Sequence, residues 1–284
     1  MLQQTRMEVV LGRYDGFLRA FPTLRALANA TEDEVTAAWS GLGYYRRARM
    51  LRSGAIAIIE RFGGQLPSTV DELMTIDGIG RYTAGAIASI AHNQRAPIVD
   101  GNIARIVSRL FATHRDAWPY ASNVVNASKS PRVFNQALME IGALICKPRH
   151  PECNRCPLRA DCGAFERNAV ARFPRVAKKT MTAVRLPLYV ITDARGRLLL
   201  QREDGRLMHR MFVLPRSPLA ACHLPVSVGS FKHTITNRRV QFEVFKAASG
   251  RRQAASDQWV DPRNLHEIPH PSYVRKALQL AGII

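Results

Sequence analysis

Residues 146–162 read CKPRHPECNRCPLRADC and hold four of the five cysteines of the chain: Cys146, Cys153, Cys156 and Cys162. Their spacing, C-x6-C-x2-C-x5-C, gathers four soft thiolate ligands in one short stretch. Four thiolates can bind a tetrahedral zinc ion or an iron–sulfur cluster, and the number of ligands does not separate the two. Disulfides are the other interpretation, but the opening MLQQTRMEVVLGRYDG lacks a signal-peptide pattern, so we expect a reducing cytoplasm. The stretch therefore predicts a metal or cluster site.

A second motif, IDGIGRYTA at 76–84, lies between two helical patterns. Gly78 and Gly80 allow a tight turn and a close approach of the backbone to another surface, and free amides at the next helix start can face a phosphate oxygen. A G-x-G pair alone is a weak signal, because most such pairs are plain turns. Together with the cysteine spacing, which directly follows a predicted helix, the motif resembles the helix-hairpin-helix of endonuclease III-like DNA glycosylases. That resemblance implies that the four cysteines hold a [4Fe–4S] cluster.

Hydrophobic periodicity divides the chain into two parts. Helical spacing predicts helices over 2–20, from Thr31 toward Trp39, and over about 44–62, 68–75, 81–92, 102–113 and 131–145. Strand-like runs follow at 186–192, 197–200, 226–236 and 239–245, with a last helix at about 272–281. The pattern alone predicts a helical part tied to a small α+β part. The glycosylase resemblance, with the family resemblance given below, implies a mainly α helix-hairpin-helix glycosylase domain with an iron–sulfur cluster loop, plus a C-terminal α+β Nudix-like domain. Its predicted parts are 1–145 (hairpin near 70–92), the loop 146–162, a basic linker 163–184, and 185–284.

The charge is strongly positive and uneven. The 284 residues contain 41 Lys and Arg against 22 Asp and Glu, a net charge of +19. Residues 1–100 carry 11 basic and 10 acidic residues, 101–200 carry 17 and 6, and 201–284 carry 13 and 6. A merely solvated surface is one explanation, but clustering favours a face that neutralises phosphates. The charge thus favours nucleic acid as the partner, and the glycosylase resemblance implies double-stranded DNA.

Asp100 and Tyr82 are the candidate catalytic residues. Asp100 precedes Gly-Asn at a predicted helix start, where Asp is commonly a cap. The resemblance matches it to the superfamily's catalytic Asp, whose carboxylate stabilises an oxocarbenium-like transition state or traps it covalently. Tyr82 stands where endonuclease III-type enzymes have a Lys that forms a Schiff base with the sugar. A phenol forms no imine, so Tyr82 indicates a monofunctional glycosylase, unless it is only a packed aromatic side chain.

Further motifs resemble the MutY family of adenine DNA glycosylases: MLQQT at 1–5, GLGYY at 41–45 and VDGN at 99–102. The resemblance is close over 1–162 and looser over 185–284. It implies that Gln4 wedges into the duplex and that Tyr44 stacks beside the oxidised guanine, filling space left by a flipped base. Alternatively, Gln4 and Tyr44 could be ordinary core or surface residues without a role in DNA binding.

In the same family the C-terminal domain inspects 8-oxoguanine. The segment FKHTITN at 231–237 resembles its recognition loop, which usually ends Phe-Ser-His. This implies lesion recognition by His233, Thr236 and Asn237. Because the sequence has no Nudix hydrolase box, we expect the domain to bind rather than hydrolyse.

The resemblance predicts base-excision DNA repair: removal of adenine mispaired with 8-oxoguanine or guanine. We expect a cytoplasmic monomer that associates with the bacterial nucleoid during repair. The family's catalytic Glu falls two positions before Met1, so the chain is expected to be N-terminally truncated and impaired. Two alternatives stay open: a thymine-specific mismatch glycosylase, which can share the Tyr of position 82, and a non-catalytic, cluster-bearing DNA-binding protein.

Overall fold

The structure is a computed structural model. It describes residues 1–3, 5, 7–175, 180–203, 205, 208–218, 225–248 and 257–284. The chain divides into two compact units. The first combines Met1–Ile56 with Lys179–Ile284, and the second is Ala57–Lys178. Within the described ranges, no helix has the length and apolar character needed to cross a membrane.

The N-terminal part of the first unit is helical around Trp39. Phe17 packs edge-on against Trp39, with ring centroids 5.7 Å apart. The helix start predicted at Thr31 is confirmed and is a capping box: the Thr31 hydroxyl accepts from the amide of Glu34, whose carboxylate accepts from the amide of Thr31. The helices here are α1 (Met7–Ala20), α2 (Leu24–Asn29), α3 (Glu32–Ala38) and α4 (Arg46–Phe62), the last of which continues into the second unit.

The second unit is also helical. Its helices are α5 (Val70–Met74), α6 (Arg81–Ala86), α7 (Gly101–Leu110), α8 (Ala117–Asn126), α9 (Pro131–Glu140) and α10 (Gly163–Glu166); π-helical turns Ile87–Ala91 and Ile141–Ile145 extend α6 and α9. Thr69 caps α5, rather than the predicted Ser68. The sequence analysis missed α8, because Pro119 and Asn residues lower its helix propensity. Burial of Ala117, Ala121 and Val125 along one face outweighs that propensity.

The C-terminal part of the first unit is a mixed sheet with one helix. The strands are β1 (Thr182–Thr192), β2 (Leu198–Glu203), β3 (Met211–Val213), β4 (Val226–Ile235), β5 (Arg238–Ala248) and β6 (Asp257–Val260). Their order is β3-β2-β1-β5-β4, and β6 pairs with β2. Strands β1 and β5 run parallel, and the other pairs are antiparallel. The short strands β3 and β6 were not predicted, because three or four residues show no clear alternation.

One face of this sheet, the inner face, packs against helix α11 (Ser272–Leu280). Phe242 of β5 stacks on Tyr273 of α11, with ring centroids 4.6 Å apart. Leu188, Leu198 and Val244 are fully buried in the same cluster. We call the opposite side of the sheet the outer face.

The region 163–184 is more structured than a linker at both described ends. Ala164 of α10 is fully buried, and Arg109 Nε donates to the carbonyl of Phe173 at 3.0 Å. Strand β1 begins at Thr182. The burial of Ala164 and the hydrogen bond to Phe173 stabilise this stretch, although its sequence lacks helical periodicity. Residues 176–179 lie outside the described residues.

Candidate functional site

Asp100 caps helix α7 in the second unit. Its Oδ1 accepts hydrogen bonds from the amides of Asn102 at 2.9 Å and Ile103 at 2.8 Å. The capping interpretation is therefore correct, and both bonds use the same carboxylate oxygen. The side chain is only partly buried. A fixed, partly exposed carboxylate at a helix start is compatible with a second role beside a bound sugar.

Tyr82, on the first turn of α6, lies within electrostatic reach of Asp100. Burial, followed by the negative charge of Asp100, raises the pKa of the Tyr82 phenol. The phenol therefore stays protonated at neutral pH, where it can donate a hydrogen bond but is a poor nucleophile. The structure thus brings the two candidate catalytic residues into one neighbourhood.

Two glycines fix the backbone around Asp100 by close packing. A Cβ on Gly85 would lie 2.2 Å from the carbonyl oxygen of Pro97, three residues before Asp100. A Cβ on Gly142 would lie 2.8 Å from the Cβ of Asn102. Any side chain at either position would force the segment that carries Asp100 to move.

Arg105 and Arg109, one turn apart on α7, anchor the start of the cysteine loop. Arg105 Nε donates to the carbonyl of Cys146 at 2.7 Å, and its Nη2 donates to Asn102 Oδ1 at 2.9 Å. Arg109 Nη1 lies 3.2 Å from Cys146 Sγ and also donates to the carbonyl of Lys147 at 2.8 Å. The two side chains are only 7% and 3% exposed. Helix α7 therefore holds Asp100 at one end and the cysteine loop along its side.

The four cysteines line one small, partly open cavity, together with Arg109 and Arg159. Burial, followed by the charges of the other three thiolates, raises the pKa of Cys153, so the four sulfur atoms face one region. Among the described residues, no three His, Cys, Asp or Glu side chains are arranged to hold a single metal ion. The donor set nevertheless suits a cluster, because each thiolate there binds a different iron. The guanidinium of Arg109 is a further donor to sulfur.

The predicted hairpin is present between α5 and α6. Gly78 has φ +85°, in the left-handed region that favours glycine, and the amide of Ile79 donates to the carbonyl of Ile76 at 3.0 Å. Gly80 is the N-cap of α6 and offers no side chain to its amides. Arg81 follows, with its guanidinium 3.8 Å from the centroid of the Trp118 ring.

Tyr44 is presented on an unusual backbone in the first unit. It has φ +47° between glycine-rich turns and is 47% exposed. Arg47 holds this turn, because its Nη2 donates to the carbonyls of Leu42 and Gly43, each at 3.1 Å. The same guanidinium donates to the carbonyl of Met1 and to Thr5 Oγ1, each at 2.7 Å. Gln4 lies outside the described residues.

The three predicted lesion-recognition residues do not share one loop. Residues 231–235 belong to strand β4, and only Thr236 and Asn237 form the exposed turn into β5. His233 is half-buried on the inner face, with its ring centroid 6.0 Å from that of Tyr273. Burial, with a smaller contribution from Lys276, lowers the pKa of His233. The strand predicted over 226–236 is thus confirmed up to Ile235, and the segment that resembles a recognition loop comprises the end of this strand and the turn after it.

The first comparison with known proteins concerns the fold of the helical part of the chain. Residues 1–129 match the profile of the family described as HhH-GPD superfamily base excision DNA repair protein. A solved thermostable thymine-DNA glycosylase superimposes with a TM-score of 0.54 at 28% identity, covering 58% of this chain and 80% of the other. These matches confirm the helix-hairpin-helix glycosylase fold.

The curated relatives of similar sequence indicate which kind of DNA glycosylase the chain resembles. The chain is 44% identical to the adenine DNA glycosylase of Homo sapiens over 177 residues, which cover 59% of this chain and 32% of that protein. It is 27% identical to the adenine DNA glycosylase of Buchnera aphidicola subsp. Schizaphis graminum over 310 residues, covering 99% and 88%. The chain thus spans about a third of the human protein and most of the bacterial one. The predicted resemblance to MutY-like adenine DNA glycosylases is confirmed.

The sequence analysis did not identify Arg47, Arg105 or Arg109. A usable signal existed for the last two: charged residues four apart, on a helix otherwise rich in apolar residues, directly after Asp100. Such residues are buried only when several acceptors surround them. The signal for Arg47 was weaker, because its acceptors are backbone carbonyls from two separate segments.

Proposed function

We propose that this protein is a monofunctional DNA glycosylase that removes adenine mispaired with 8-oxoguanine or guanine. The observation that carries the proposal is helix α7, which fixes Asp100 within electrostatic reach of Tyr82 and anchors the cysteine loop through Arg105 and Arg109. The resemblance to adenine DNA glycosylases supports the choice of base.

Asp100 would stabilise the positive charge that develops on the sugar as the base departs. Its Oδ1 is occupied by two helix amides, which fix the direction of the carboxylate before substrate arrives. A fixed carboxylate costs little reorganisation when charge develops, so it favours the transition state over the ground state.

Tyr82 would limit the reaction to base release. Its phenol stays neutral and has no amine, so it cannot form a Schiff base with the sugar. The expected product is an abasic site in an intact strand. A donor beside Asp100 can also orient the carboxylate or the sugar by hydrogen bonding.

The cofactor in this proposal is a [4Fe–4S] cluster held by Cys146, Cys153, Cys156 and Cys162. The shared cavity and the thiol–guanidinium contact at Cys146 support it. When bound, such a cluster would cross-link the loop through four iron–thiolate bonds. Arg105 and Arg109 would then transmit the order of the loop to α7.

Double-stranded DNA is the proposed substrate and partner. The hairpin at Gly78 and Gly80 presents backbone amides, and Tyr44 offers an exposed aromatic ring. Thr236 and Asn237 supply polar groups at an exposed turn of the proposed Nudix-like domain. These features suit backbone contact, stacking and lesion contact, respectively.

The test is base release from a duplex with adenine opposite 8-oxoguanine, followed by alkaline strand cleavage. A thymine-releasing enzyme is the second candidate, because a thymine-DNA glycosylase shares the fold at 28% identity. A duplex with thymine opposite guanine separates the two. We expect adenine release and no thymine release.

A further inference from the structure

The outer face of the C-terminal sheet is divided into two chemically different halves. At one end Ile191 and Leu199 are fully buried, and Tyr189 stacks on Phe245 with ring centroids 5.2 Å apart. At the other end, next to the turn at Thr236 and Asn237, most side chains are polar, and Ala183 and Pro187 are the apolar residues among them. The outer face is therefore buried around Ile191 and Leu199 and open to solvent near Thr236 and Asn237.

Three cationic side chains lie at adjacent positions of the strand register in the polar half. Arg185 of β1 pairs with Gln241 of β5, which pairs in turn with Lys232 of β4. Arg239 lies two residues from Gln241 along β5, on the same side of the sheet. All three cations are exposed. We call Arg185, Lys232 and Arg239 the outer basic face.

The register keeps these charges close together. Adjacent strands are about 4.8 Å apart, so the Cα atoms of Arg185 and Lys232 are separated by roughly 10 Å, and Arg239 is about 7 Å from Gln241 along its strand. In the part of the chain that the structure describes, none of the three forms an ion pair. Glu243 is on the same face, one row further from the turn. No two of the three cations are directly opposite in the register, and without an ion pair among the described residues the sheet gains no electrostatic stability from them.

We propose that the outer basic face binds backbone phosphates of duplex DNA, as a contact surface additional to the hairpin at Gly78 and Gly80. The proposal rests on the proposed DNA glycosylase function. Thr234, Gln241 and Ser230 lie between or beside the cations and supply the neutral donors that commonly accompany Arg and Lys at phosphates. A protein partner would require large apolar or aromatic anchors, and the apolar residues described in this half are only Ala183 and Pro187. Charge complementarity therefore favours DNA.

The experiment compares three forms of the full chain: wild type, the triple variant Arg185→Gln/Lys232→Gln/Arg239→Gln, and the charge-matched control Arg195→Gln/Arg263→Gln/Arg275→Gln. The control cations are exposed residues in turns or helices of the same C-terminal region, away from the outer basic face. The affinity for an undamaged duplex is measured over a series of salt concentrations. Thermal unfolding of each form reports whether the fold is kept.

For the triple variant we expect a log–log salt slope that is shallower by roughly 0.9 for each phosphate that is no longer neutralised, and binding that is about tenfold weaker at low salt. Its melting temperature should stay equal to that of wild type or rise, because repulsion is removed. The control should change the slope much less. Equal slopes for the two variants would overturn the proposal and leave the face to an acidic protein. Failure of wild type itself to bind DNA would instead contradict the proposed function.

Discussion

Arg109 Nη1 lies 3.2 Å from Cys146 Sγ, on the same helix whose first amides are capped by Asp100. A single helix thus connects the cysteine loop to the candidate catalytic carboxylate. Arg105 lies between these two points and donates to the carbonyl of Cys146. The order of the loop and the position of Asp100 are therefore expected to depend on each other.

Anaerobically purified protein should be brown and contain about four iron and four sulfide per chain, because four thiolates surround one cavity. Elemental analysis and the visible absorption spectrum measure this. Cys153→Ser should lower the iron content and the melting temperature. Stoichiometric zinc without iron in the wild-type protein would contradict the cluster assignment.

Product strands should remain intact until alkali is added, because Tyr82 has a neutral phenol in place of an amine. Denaturing gels before and after alkali measure this. Tyr82→Phe, which keeps the ring, serves as the control for packing and should also leave strands uncut. Efficient trapping of a covalent DNA adduct by borohydride in the wild type would show that another amine attacks the sugar.

Gly142→Ala should destabilise the protein by about 1–3 kcal/mol, because the new Cβ would lie 2.8 Å from the Cβ of Asn102. It should also slow base release by displacing the start of α7. Gly16→Ala is the matched control: it lies inside α1 with no atom within 4 Å of the new Cβ. There we expect a gain of about 0.5–1 kcal/mol. Denaturant unfolding measures the stability of both variants. Equal changes in the free energy of unfolding would show that close packing at Gly142 is not important for stability.

Stability should fall as the pH drops below about 6.5, the ordinary pKa of histidine. Burial, followed by the charges of Arg275 and Arg13, lowers the pKa of His270, whose Nδ1 lies 2.7 Å from the carbonyl of Ile268. The unfolded state then takes up a proton before the folded state does, so acid favours unfolding. The buried Nε2 finds no hydrogen-bond partner in the described part of the chain.

The free energy of unfolding, measured between pH 7.5 and 5.5, tests this. His270→Asn removes the titrating group and should flatten the dependence. A remaining slope is expected from His233, whose pKa is also lowered. An unchanged slope in the variant would show that His270 does not contribute.

The sequence was sufficient for the features that depend on local chemistry. The capping box at Thr31, the hairpin glycines and the cap at Asp100 follow from residue types at fixed spacing. Helix α8 was missed because burial of one face outweighs its low propensity, and strands β3 and β6 were missed because three or four residues show no clear alternation. The spacing of Arg105 and Arg109 on an apolar helix indicates burial, but their partners are backbone carbonyls about 40 residues away, and no local pattern identifies those partners.

Single-turnover base release by wild type and by Asp100→Asn tests the central claim most directly. The Asn variant keeps an oxygen to cap α7 but loses the negative charge, so folding should be preserved. Protein in excess is incubated with a duplex that carries adenine opposite 8-oxoguanine, and free adenine is measured over time. We predict slow adenine release by wild type and release at least about 100-fold slower by Asp100→Asn. Equal rates for the two proteins, or no release by wild type above the uncatalysed rate, would contradict it.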